Sequence, residues 1–227
     1  MNSPRISLNK LGEYLTATPA RRRRIVLDQQ DPKAFVVARY MDARAAIVDY
    51  LASGLSDLGR RQLVSKSVAL RLDKSGTDFA SQDRMASADA MVNFIDISSS
   101  IDMDELIAIP VESSFSAAMY ISGVKVSVRP DVILKNWITG DVVGAIKLHF
   151  SKTSPLCAEA LGYVSAALRV YMEEQGGASV DFKRCYIVDV PTKSVVSAQK
   201  AHVKRMRDIE AACEEIFVRW VGMPKVA

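Results

Sequence analysis

The chain has 227 residues, 49% of them apolar and 25% charged, with a formal net charge of +4. That length supports one hydrophobic core with appended helices, and so small a charge excess does not by itself mark a polyanion-binding protein. No run reaches the ~20 apolar residues of a membrane helix, and no leader pattern opens the chain. The cysteines, Cys157, Cys185 and Cys213, form neither a CxxC pair nor an even framework. The expectation is a cytoplasmic protein with no membrane partner, no disulfides and no structural zinc. Its charge is uneven: residues 1–75 carry 14 Lys/Arg against 7 Asp/Glu, residues 76–123 carry 1 against 8, and residues 124–227 carry 15 against 11. A basic front and back thus flank an acidic middle, as in some nucleic-acid proteins.

Ser7 followed by Leu8, Leu11 and Leu15 predicts a short opening helix, and Thr18-Pro19 starts a second that carries Arg21, Arg22, Arg23 and Arg24. Apolar residues at spacings of three and four from Phe35 to Leu51 predict a longer amphipathic helix. A helical insertion is expected over about 55–115, with Gly76 as its break. At Met119 the period becomes two: Met119 to Arg129 alternates across Ser122-Gly123 as a β-hairpin, whose second arm runs on to Leu134. Asp141 to Phe150 is the next strand, Pro155 to Met172 a helix, Tyr186 to Val190 a strand, and Ser194 to Trp220 a long amphipathic helix.

The fold class expected from this order is α+β with an α/β-type core. It comprises a three-stranded antiparallel meander and a further strand in a mixed sheet flanked by helices. The chain divides into N-terminal basic helices (1–30), a core (31–190) and a C-terminal helix (194–222).

Three features carry candidate chemistry: Pro130-Asp131 at the end of the hairpin arm, Lys147 in the next strand, and Glu159 with Tyr163 in the following helix. In this order they resemble the core of the PD-(D/E)xK nuclease superfamily, in particular its RecB-like and lambda-exonuclease-like branch. The resemblance covers about residues 31–190. It implies a metal-dependent DNA nuclease in which Asp131 and Glu159 hold Mg²⁺ or Mn²⁺ and Lys147 supports the attacking water. The sequence departs from the family at Ala145, where an acid is usual two positions before the lysine, and Glu159 stands where glutamine is usual. The resemblance makes Glu159 the replacement for the missing acid. Arg21 to Arg24 and Tyr163 are the nucleic-acid-binding candidates, since clustered cations can neutralise several phosphates. The cysteine that often follows the opening helix in such proteins is absent, so no iron–sulfur cluster is expected.

Two other readings stay open. One keeps the fold without catalysis, as a nuclease-like nucleic-acid-binding or complex-forming subunit in DNA processing or defence. The other is a protein-interaction module whose acidic segment from Asp96 to Glu112 docks a basic partner or a second copy. His149, two after Lys147, reads as structural, and Trp137 as a side chain folded over the sheet or stacked on a base.

Overall fold

In the computed structural model, residues 3–31, 39–112 and 117–222 are described. They form an α+β fold that ends in a helix. A short strand β1 (Arg5–Ser7) leads into α1 (Leu8–Thr16), and α2 (Pro19–Gln30) follows. The Ser7 and Thr18 side chains accept from the backbone N–H of Lys10 and Arg21, satisfying donors that a helix start leaves open. The long helix expected from residue 31 is α3 (Met41–Ala52); residues 32–38 of that expectation lie outside the described residues. The insertion supplies α4 (Asp57–Leu72) and α5 (Asp78–Ile97).

It also supplies a strand that periodicity did not reveal, β2 (Leu106–Pro110). Next come the hairpin β3 (Ala118–Ile121) and β4 (Val124–Ser127), then β5 (Val132–Asn136), β6 (Val142–His149), α6 (Ala158–Gly176) and β7 (Cys185–Asp189). Ser194–Ser197, expected to open the last helix, is instead β8, and α7 runs over Val203–Gly222. Ser-Val-Val-Ser is rich in β-branched residues and pairs antiparallel with β7, so its strand preference is met by a neighbour.

The meander exists, but with a different first strand. β2, β5 and β6 pair antiparallel in that order, β7 joins β6 in parallel, and β8 closes the five-stranded sheet. The β3–β4 hairpin was expected to run straight into β5. It leaves this sheet and pairs with β1 in a smaller three-stranded one. The break is at Val128-Arg129-Pro130: Arg129 takes φ +40°, and the proline has no N–H for a ladder.

Alternation along the central strands gives each sheet face its own core. Ile146, Leu148, Val132, Leu134 and Val188 pack with α3 and α5, whereas Ala145, Cys185 and Ile187 pack with α1, α6, α7 and the hairpin. The approach of α1 to α6 depends on Gly12, where a Cβ would stand 2.5 Å from Val164 Cγ2. In the acidic segment, Ile101 is buried, Met103 and Leu106 are partly so, and Ile107 and Ile109 are exposed. Of the apolar residues expected to form an interaction surface there, Ile101 is turned inward and Ile109 outward.

Candidate functional site

β5 and β6 run antiparallel with Val132 opposite Ile146, and this register sets Asp131, just before β5, beside Lys147 near the end of β6. Both side chains are buried, at 8% and 7% exposure. The Asp131 N–H donates to the Ile146 carbonyl at 2.8 Å, which continues the ladder one step beyond the strand. Its side chain is fully engaged: Oδ2 accepts the Leu148 N–H at 2.7 Å, and Oδ1 takes an ion pair with Arg44 of α3. Arg44 lies 5.0 Å over the Phe150 ring and is about half exposed, so one edge of its guanidinium meets solvent.

Lys147 Nζ donates to the Arg129 carbonyl at 3.0 Å. The left-handed backbone at Arg129, uncommon outside glycine, belongs to the turn that delivers this oxygen. Burial pulls the Lys147 pKa down from 10.5 to about 8; Asp131 draws it back up, and the charges of Arg44 and Arg129 push it further down. Asp131 is thus paired with Arg44, and the charges of Lys147 and Arg129 lie in the same neighbourhood.

Glu159 does not join them. It is exposed in the first turn of α6, and the Tyr163 hydroxyl lies 3.5 Å from Glu159 Oε1 and 3.1 Å from Asp208 Oδ2 of α7. Burial, then the Asp208 carboxylate, raise the Tyr163 pKa above its ordinary value. The charges that act on Lys147 are those of Asp131, Arg44 and Arg129. The sequence-predicted trio is therefore split: a strand-end pair on one side, and a helix-surface carboxylate with its tyrosine on the other.

This bears directly on a divalent metal. Such an ion needs several hard oxygens with free lone pairs. Position 145 is a fully buried alanine, and both oxygens of Asp131 are already bound by donors. Among the described residues, no three His, Cys, Asp or Glu side chains converge. The surrounding cations would repel a further cation. The residues present around Asp131 do not fit Mg²⁺ or Mn²⁺.

The arginine run is mostly engaged within the chain. Arg21 donates to Glu13 Oε1 at 2.8 and 2.5 Å, and Arg22 donates to the Tyr14 and Leu15 carbonyls, both at 3.0 Å, while lying over the Tyr14 ring. Arg24 pairs with Asp28 at 3.0 Å. Arg23 points outward. Burial works against the charge of Glu13, yet Lys10 and Arg21 hold its carboxyl below the usual range.

Further along β6, the His149 ring is fixed from both sides. Nε2 faces the Ser154 carbonyl at 2.9 Å, so it carries the hydrogen, and Nδ1 accepts from Asn9 Nδ2 at 3.2 Å. Burial lowers its pKa. The structural reading of His149 fits these contacts. Beside it, the buried Asp189 accepts the Leu156 N–H at 2.7 Å and anchors the loop into α6. An open cleft of about 480 Å³ lies nearby, between Thr16 and Arg21 on one side and Thr153 to Pro155 on the other; neither Asp131 nor Lys147 lines it. The Trp137 side chain is 63% exposed and is not folded over the sheet.

Sequence reasoning missed Arg44, Arg129 and Asp189. Arg129 adjoins the Pro-Asp pair and could have been found from it. Arg44 and Asp189 had no local signal. Comparison with known protein families, with curated proteins and with solved structures found no match.

Proposed function

We infer that this chain is a non-catalytic, nuclease-like protein that binds nucleic acid through its phosphates. The kinship is supported by the order of elements: a meander of β2, β5 and β6, then α6, then β7 parallel to β6, with Asp131 opening the second meander strand and Lys147 in the third. The loss of catalysis is supported by one observation above the rest. The Asp131 carboxylate is already held by Arg44 and the Leu148 N–H, and the charges of Lys147 and Arg129 are close to it.

A site with three cations and one anion attracts a phosphate and repels a metal. Arg44 and Arg129 reach solvent, so a phosphate oxygen can meet them without leaving water altogether, while Lys147 adds its field from behind. Contact of this kind positions a backbone and carries no sequence preference.

Fluorescence anisotropy with labelled single- and double-stranded DNA tests the reading. Binding is expected to weaken with added salt, to survive EDTA, and to proceed without cleavage in Mg²⁺ or Mn²⁺. Cleavage that requires a divalent metal and disappears in Asp131→Ala would restore the nuclease reading. Absence of binding at low salt would remove both.

A further inference from the structure

The two walls of the cleft beside β6 meet at one histidine. Glu13, Thr16 and Arg21 line the cleft from α1 and α2, and Thr153 and Ser154 from the loop that leads into α6. The His149 ring lies between them: Nε2 faces the Ser154 carbonyl at 2.9 Å, and Nδ1 faces Asn9 Nδ2 of α1 at 3.2 Å. The same Asn9 amide donates to the Leu148 carbonyl at 3.4 Å, and the Leu148 N–H holds Asp131. The joint between α1 and the end of β6 thus borders the Asp131 site and turns on a ring that can change its charge.

A carbonyl needs a donor, so Nε2 carries the hydrogen of the neutral ring and Nδ1 is left as the acceptor for Asn9. A second proton makes both nitrogens donors. Nδ1–H then faces Asn9 Nδ2–H, donor against donor. Turning the amide over does not mend the joint. It brings Oδ1 to the ring, but it sets that oxygen against the Leu148 carbonyl. It also moves the amide nitrogen to where Oδ1 now lies, buried and with no hydrogen-bond partner among the described residues. Neither orientation satisfies the charged ring, and a buried hydrogen bond left unmade is costly.

The neighbouring charges do not offset this. Burial, the largest influence, opposes the imidazolium, as do Lys10 of α1, itself paired with Glu13, and Lys147 of β6. The Ser154 carbonyl favours it, and so does Asp189 of β7, the register partner of His149, whose oxygens already accept the Leu156 and Thr192 N–H groups. Lys152, in the loop, is drawn away to Asp89 of α5. The balance holds the ring below its ordinary 6.5, so the stability of the joint is complete above pH 6.5 and is lost as pH falls from there through the lowered value. We propose that His149 is an acid-operated latch: its protonation loosens α1 from the end of β6, and with it the wall of the cleft that carries Glu13 and Arg21.

NMR on the full chain decides the matter. At neutral pH, long-range ¹H–¹⁵N spectra are expected to show the Nε2–H tautomer of His149. On acidification the ring, the Asn9 side-chain amide and the Ser154 backbone amide should shift with one midpoint, below 6.5. Amide exchange over Leu8–Thr16, corrected for its own pH dependence, should quicken about tenfold across that midpoint while α4 stays unchanged. Asn9→Asp sets an acceptor opposite the charged ring, so its midpoint should rise by about one unit or more and the quickened exchange should vanish. The proposal is overturned by a ring that titrates while Asn9 and α1 stay as they were, by a ring that stays neutral until the chain unfolds, or by an Asn9→Asp midpoint no higher than the parent's.

Discussion

The Arg21–Arg24 run and the Asp131–Lys147 end of the sheet are both rich in cations, yet they differ in how that charge is met. In the run, Arg21 faces Glu13, Arg22 lies on two carbonyls and a tyrosine ring, and Arg24 faces Asp28. At the strand end, Arg44 of α3 pairs with Asp131, while the buried Lys147 of β6 donates to the backbone of Arg129 in the β4–β5 turn. The first region is dense along the chain and nearly balanced in space. The second is sparse along the chain and leaves positive charge over. What a phosphate senses is the imbalance, not the density.

The sharpest break of this comparison is Asp131→Ala. It strips the buried Lys147 of its counter-charge and the Leu148 N–H of its acceptor, so a loss of about 3–5 kcal/mol is expected in denaturant unfolding. If the cations bind phosphate, DNA affinity per folded molecule should not fall, because the only anion has been removed. A loss of binding beyond the loss of folded protein would count against the site.

Next in size is a pH effect. With the Lys147 pKa at about 8 in the fold and 10.5 in the unfolded chain, both states hold the proton below pH 8, and the penalty of burying the charge is then fully present. Between about pH 8 and 10.5 the unfolded chain binds more protons, so stability rises with pH, by at most ~1.4 kcal/mol per unit. Urea midpoints measured across this window should climb in the parent relative to Lys147→Met, where the contribution is absent. Parallel profiles would contradict a charged, buried lysine.

Arg44→Ala should cost about 1 kcal/mol of stability, since its guanidinium is half exposed, and should reduce the slope of log K against log salt for DNA binding by about one. The smallest effects belong to the arginine run. Arg23→Ala should leave unfolding unchanged, and Arg21→Ala should lower stability by about 0.5 kcal/mol through its part-buried pair with Glu13. If either variant lowers DNA affinity more than Arg44→Ala does, the ranking of the two regions is reversed.

Much of the fold was readable residue by residue. Alternation revealed the β3–β4 hairpin and the strand through Lys147, while Ser7, Thr18 and Pro19 announced α1 and α2. β2 stayed hidden because Leu106-Ile-Ala-Ile-Pro110 is apolar throughout and shows no alternation, so it becomes a strand only by pairing with β5. Part of the candidate site was legible: Asp131 and Lys147 lie at adjoining strand positions, as their places in the sequence suggested, although Lys147 donates to the Arg129 carbonyl. Glu159 was misplaced because a carboxylate in a first helical turn looks the same whether it faces a metal or solvent.

Local chemistry along the chain therefore determined where helices start, where strands alternate, and that an aspartate and a lysine would lie on adjoining strands. Only the tertiary structure decided that Arg44 from a helix of the other core and the backbone of Arg129 close around them. The reason is range. Caps and periods act over a few residues, whereas the partner that neutralises Asp131 comes from Arg44, 87 positions away in the chain. Arg44 on the carboxylate with Lys147 buried close by is what favours the proposed phosphate-binding reading over a metal centre.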